Sequence, residues 1–147
     1  MAGMTEAAER LALVLTSNGM QRMTARVMAA LLFADQETVT AGELCEWLVI
    51  SPGTVSTALK ALTNSGLIER VPAPGSRREH FRFRDDAWVQ LMSAQNQSLN
   101  AVFEAADRGI KESGEDSVAG RRLVNMRDFY GYVMAEMPAI IERWRAR

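Results

Sequence analysis

Ser51-Pro52 is the sharpest structural signal in this 147-residue chain. A serine side chain accepts a hydrogen bond from the free backbone N–H groups that open a helix. Proline at the next position loses nothing, because its missing N–H would have no partner there. The pair predicts a helix from Pro52 to about Asn64, with Gly66 just beyond as the residue that ends it. Val55, Leu59 and Leu62 recur at helical spacing and form one buried stripe. The other side carries Gly53, Thr54, Ser56, Thr57 and Lys60, small hydrogen-bonding residues plus one cation. Such a helix is anchored along one face and narrow and polar along the other.

The segments around it read as follows. Thr5 caps a first helix to about Ser17, stopped by Asn18-Gly19. A second helix spans roughly Arg22 to Ala34, with Val27, Met28, Leu31 and Leu32 on one side. Thr38-Val39-Thr40 is a short extended piece. Thr40 followed three residues later by Glu43 is a capping box, which opens a third helix to about Val49 with Leu44, Cys45 and Leu48 facing inward. After the Pro52 helix come two strand-like runs, Leu67–Val71 and Glu79–Arg84, the second with Phe81 and Phe83 alternating against polar residues. Pro72 to Arg78 joins them as a turn-rich, basic loop. Asp85-Asp86 precedes a long helix to about Glu112. Ser113-Gly114 breaks it, and a last helix runs from about Ser117 to Arg145, with Pro138 expected to kink it or interrupt one backbone bond.

Charge is concentrated where these motifs lie. The formal net charge is −1, yet between Ser51 and Arg84 six basic residues stand against two acidic ones. That island draws a polyanion to one face of an otherwise acidic chain. One cysteine, Cys45, excludes an internal disulfide framework, and with one histidine, His80, leaves no zinc site of Cys/His type and no nucleophile–histidine constellation. No catalysis, cofactor or metal is expected. Cys45 reads as a small buried hydrophobe and His80 as a backbone-contacting surface residue. No apolar run approaches the ~20 residues of a membrane span. Met1 to Arg10 carries Glu6 and Glu9 without an apolar core, unlike a secretory signal, so the expected compartment is the cytoplasm.

Helix, helix, short strand, helix, tight turn, helix, strand, basic turn, strand is the order of a winged helix-turn-helix. The expected fold is mainly α with a small β-hairpin wing and long N- and C-terminal dimerisation helices. Residues 20–84 would form the DNA-binding part, and 1–19 with 85–147 a helical dimerisation region packed on it as one fold. The polar helix suits a major groove about 12 Å wide, its N-terminus suits a phosphate, and arginines on a protruding turn reach a minor groove or phosphate. The run from Thr38 to Phe83, above all SPGTVSTALKALTNSGLIERV and PGSRREHFR, resembles the reading head of MarR-type regulators, nearest the GbsR branch. That resemblance implies a dimeric transcriptional regulator, usually a repressor, often released from DNA by a small molecule. It places Pro52, Gly53, Thr54, Ser56, Thr57 and Lys60 on the groove-facing helix and Arg77 and Arg78 on the wing. Thr40, Ser51, Ser76, His80 and Arg82 complete the expected contact set. Glu79 does not suit phosphate and is expected to orient a neighbouring arginine.

The helix after Asp86 would be about 40 Å long, more apolar stripe than an 80-residue head covers. A second copy would cover the rest and set two recognition helices one DNA turn apart, over an inverted-repeat operator. Met20, Met23, Trp88, Met92, Phe103, Phe129 and Tyr130 are candidates to line a pocket for a small apolar or aromatic effector; a stripe of this kind packs equally as core. The alternative function is a winged helix that binds a protein partner and has no duplex affinity.

Overall fold

A computed structural model describes residues 3–147, so the first two residues of the 1–19 segment lie outside the described residues. The order is α1 (Glu6–Ser17), α2 (Arg22–Phe33), β1 (Val39–Thr40), α3 (Ala41–Leu48), α4 (Pro52–Asn64), β2 (Ile68–Val71), β3 (His80–Phe83), α5 (Ala87–Ser113) and α6 (Val118–Arg145). The expected class, mainly helical with a small antiparallel sheet, is the observed one. Two compact units result, one up to Trp88 and one from Val89 to Arg147.

The first unit is built from capped helices. Thr5, Thr40 and Ser51 each accept a bond from the backbone N–H three residues on, and Gln21 does the same for Thr24 at 2.8 Å. Thr40 and Glu43 complete a reciprocal capping box. Leu44, Val55, Leu62, Leu67 and Ile68 are fully buried together with Val27 and Val39. Each large buried aliphatic side chain of this sort contributes about 1.5–3 kcal/mol relative to exposure. α1 packs on α2 through alanines: Ala8, Ala12, Ala25 and Ala29 form a second cluster flanked by Met4, Leu11, Leu15 and Met20. Two expectations shift. Leu32 lies off the buried face of α2, and Cys45 is half-buried beside the fully buried Leu44 and Leu48.

The two expected strands form a hairpin, and β1 adds a third, giving the order β1-β3-β2. Val39 pairs with Phe81 and Thr40 with His80. On the other edge, Glu69 pairs with Arg82 and Val71 with His80. The inward side of β3 is Phe81, buried against the helices.

In the second unit α5 and α6 run antiparallel. Leu123 lies against Gly109, Arg127 bonds Asp107, Phe103 lies against Gly131, and the Asn96 amide donates to the Met134 carbonyl. Gly114, at φ 81°, makes the reversal, and a Cβ on Gly120 would sit 1.8 Å from the Gly114 carbonyl oxygen. Pro138 lies inside α6, which continues through it to Arg145. Having no N–H, Pro138 leaves one backbone bond of that turn unmade.

Candidate nucleic-acid interface

α4 presents Ser51, Pro52, Gly53, Ser56, Thr57 and Lys60 to solvent, with Thr54 half-buried. The hydroxyls are not equivalent. Ser51 and Thr54 share a bond of 2.8 Å, and the Thr57 hydroxyl donates to the Gly53 carbonyl at 3.0 Å. Thr57 therefore offers outward an acceptor and a methyl group. Among the described residues the Ser56 hydroxyl has no partner, so it can donate and accept.

The β2–β3 loop closes with the Ser76 N–H donating to the Ala73 carbonyl, around Gly75 at φ 83°. This turn throws Arg77 and Arg78 outward. Both are exposed, and among the described residues neither guanidinium has an acidic partner. The other arginines of the basic island are neutralised. Arg82 meets Glu69 at 2.9 Å, Arg70 meets Glu79 at 3.4 Å, and Arg84 meets Asp86 at 3.0 Å. Hydrogen bonding to Asp86, with its charge, pushes the Arg84 guanidinium further up. Glu79 thus orients an arginine, and that arginine is Arg70.

Thr40 is buried, and its hydroxyl is committed to Glu43, which it caps. Burial pushes the Glu43 carboxyl up, but hydrogen bonds from the Thr40 backbone, Gln36 and the Thr40 hydroxyl outweigh it and hold the group below its ordinary value. His80 is half-buried. Its Nδ1 lies 3.1 Å from the Thr38 hydroxyl and its Nε2 3.2 Å from the Ser76 hydroxyl, which also accepts from the Arg78 N–H. Both ring nitrogens of His80 therefore have hydroxyl neighbours within the wing and its base.

Two grooves flank α4. One, of about 550 Å³, lies between α4 and the sheet and is lined by Ser56, Lys60, Asn64, Arg70 and Glu79 among others. The other, between the N-termini of α2 and α4, is lined by Gln21, Met23, Thr24, Ser51 and Thr57 among others. Sequence reading missed Gln21 and Thr24, although Gln21 three residues before Thr24 has the spacing of a cap. It also missed Val49, which ends α3 at φ 53° and is 87% exposed. A β-branched residue in the left-handed region carries no advance signal, since glycine or asparagine is the usual occupant.

The candidate effector residues divide between the units. Met20 packs on the alanine cluster, Met23 lines the α2–α4 groove, and Trp88 packs against Phe83 at 5.9 Å between ring centroids. In the second unit Met92 lines an apolar groove of about 410 Å³ with Leu99, Val133 and Met137. Phe103 abuts Gly131, and Phe129 meets Tyr130 edge-on.

Two family profiles match this chain. The MarR family profile matches residues 18–79, and one described as MmpR5-like MarR family transcriptional regulator matches residues 86–147. Over 132 residues the chain is 30% identical to the HTH-type transcriptional regulator MmpR5 of Mycobacterium tuberculosis (strain ATCC 25618 / H37Rv), covering 89% of this chain and 80% of that protein. The chain belongs to the MarR family of transcriptional regulators. A crystal structure described as that of a transcriptional regulator superposes with a TM-score of 0.82 at 28% identity, over 95% of this chain and 96% of that one. The family and the relatives found are transcriptional regulators rather than enzymes. No helix among the described residues is long and apolar enough to cross a membrane.

Proposed function

We propose that this MarR-family chain reads an inverted-repeat operator in duplex DNA as a two-fold homodimer and represses transcription from it. The observation that carries the reading is the pair of unpartnered guanidiniums, Arg77 and Arg78, beside a helix whose outer face is small and polar. Ser51, Pro52, Gly53, Thr54, Ser56, Thr57 and Lys60 would face the major groove, with Ser56 and Thr57 as base readers. Arg77 and Arg78 would take flanking phosphate or minor groove. Ser76 and His80 would shape the wing; Arg82 would act through its pair with Glu69.

Residues 20–84 form the reading part in this proposal, and 1–19 with 85–147 the pairing part. Support for pairing comes from α5 and α6. Among their described residues from Val89 onward, only Val89, Ala106, Ile110 and Gly120 are buried, while Phe129, Tyr132 and Trp144 are more than half exposed. So much uncovered apolar surface on two long helices marks an interaction face, and a second copy is the occupant that two-fold DNA reading requires. The tail match favours the MmpR5-like branch over GbsR, whose likeness rests on the reading head. Response to a small apolar effector would use the Met92–Leu99–Val133–Met137 groove. Work on DNA places the protein in the cytoplasm.

Selection of bound fragments from a random duplex pool, with light scattering of the purified protein, tests the reading. An enriched inverted repeat and a mass of two chains are expected. A monomer that enriches no duplex refutes it and favours the protein-binding alternative.

A further inference from the structure

Arg26 is the one charge on the inward half of α2, in a neighbourhood of alanines, and its three donor nitrogens all have acceptors. Nε and one Nη grip both carboxylate oxygens of Glu9 on α1, at 3.2 and 2.6 Å. The other Nη donates to the carbonyl of Leu48, the last residue of α3, at 3.3 Å. The Arg26 side chain is 20% exposed and that of Glu9 40%, so the guanidinium is mostly shielded while the carboxylate still meets water, in a bidentate contact where a guanidinium's geometry matters as well as its charge.

The Leu48 carbonyl is not an arbitrary anchor. The next residue is Val49, held at φ 53°, and two residues later Ser51 caps α4. Val49 and Ile50 both donate their N–H groups to the Cys45 carbonyl. A left-handed valine is strained and persists only where its surroundings over-determine it. The Leu48 carbonyl, fixed by Arg26, is one of the constraints that do so. This turn joins α3 to the cap of α4.

We propose that Arg26 is a positioning residue for DNA reading: through Leu48 it makes the aim of α4 depend on where Glu9 and α1 are seated. A shift of α1 along α2 would pull the guanidinium, release the Leu48 carbonyl and let Val49 relax. This rests on the DNA-reading proposal for its consequence, but its structural half stands on the turn itself.

The test is the charge swap Glu9→Arg with Arg26→Glu, which keeps opposite charges on α1 and α2 but puts at position 26 a carboxylate that cannot donate to Leu48. Hydrogen exchange read by NMR should show the Val49 and Ile50 amides about tenfold less protected, the size of one lost charge-assisted bond, with Leu59 and Leu62 unchanged. The preference for operator over a scrambled duplex of equal length should fall by a similar factor, while the salt dependence stays that of the intact arginine wing. Unchanged protection at Val49 and Ile50 overturns the inference whatever the DNA result. Loosened turn amides with undiminished operator preference overturn the link from turn to reading. If wild type prefers no duplex, the DNA proposal fails instead, and the exchange data still decide the structural half. Should the swap not fold, Arg26→Lys keeps the charge without the fork and should show the same loss in weaker form; equal protection there refutes the role.

Discussion

Replacing Arg77 and Arg78 together by alanine isolates the phosphate contribution of the wing. Each phosphate neutralised on duplex DNA contributes about 0.9 to the slope of log affinity against log salt. Two free guanidiniums per chain then contribute about 1.8, and two chains about 3.6. Raising salt fourfold from about 50 to 200 mM should weaken wild type roughly 150-fold more than the double variant. Fluorescence anisotropy with operator and scrambled duplexes across a salt series measures both slopes. The change should be the same on both DNAs, because phosphate contacts carry no sequence information. Its size also reports stoichiometry, since one wing on DNA predicts half the change of two. Arg82→Ala is the internal control: Arg82 is already paired to Glu69 at 2.9 Å, so its loss should alter the slope by well under one contact. A double variant with the wild-type slope refutes wing–phosphate contact. A slope change as large in Arg82→Ala refutes the division of the arginines into paired and free.

Four further outcomes follow from the fold. Leu62→Ala removes a fully buried side chain from the base of α4 and should cost about 2–5 kcal/mol by urea unfolding, with a near-native Leu62→Met as comparison. Thr40→Ala should cost about 1 kcal/mol by removing the α3 cap. Because Glu43 titrates below its ordinary 4.5 in the fold, its contribution is present above that value and lost as pH falls through the lowered one; Glu43→Gln should flatten this acid limb in pH-dependent unfolding, and an unchanged limb counts against the box. Gly120→Ala should be strongly destabilising, because its Cβ would meet the Gly114 carbonyl at 1.8 Å and force open the α5–α6 reversal, visible as a lower thermal midpoint.

Element boundaries were legible because each is written in local chemistry. Thr5, Thr40 and Ser51 cap as the sequence suggests, Ser117 caps the last helix at its expected start, and Gly19, Gly66 and Gly114 all adopt positive φ. What depends on distant partners was not legible. Two residues of β1 carry no hint that they pair with β3 about forty positions on. Arg70 and Arg82 look as free as Arg77 and Arg78 until the register sets Glu69 opposite Arg82 and brings Glu79 within reach of Arg70. Thr40 has the residue type of both a cap and a contact, and burial leaves its hydroxyl to the cap. Arg26 carries no signal of its own in the sequence, because only the fold brings Glu9 and Leu48 to it.

The arginine register bears directly on how a chain of net charge −1 can attract a polyanion. Coulomb attraction across solvent is screened within about 8–10 Å at ordinary salt, so the total charge of the chain hardly matters to a phosphate at the wing tip. What matters is which cations within that distance lack a counter-charge. Pairing Arg70, Arg82 and Arg84 with carboxylates removes them from that sum, while among the described residues the two exposed guanidiniums after the Gly75 turn have no carboxylate paired to them. The hairpin thus commits its acids to these pairs and leaves its tip cationic. An acidic residue one position closer to the turn would cancel the field without disturbing the fold, which is why the order of charges along Ser76–Arg84, rather than their number, carries the case for this surface.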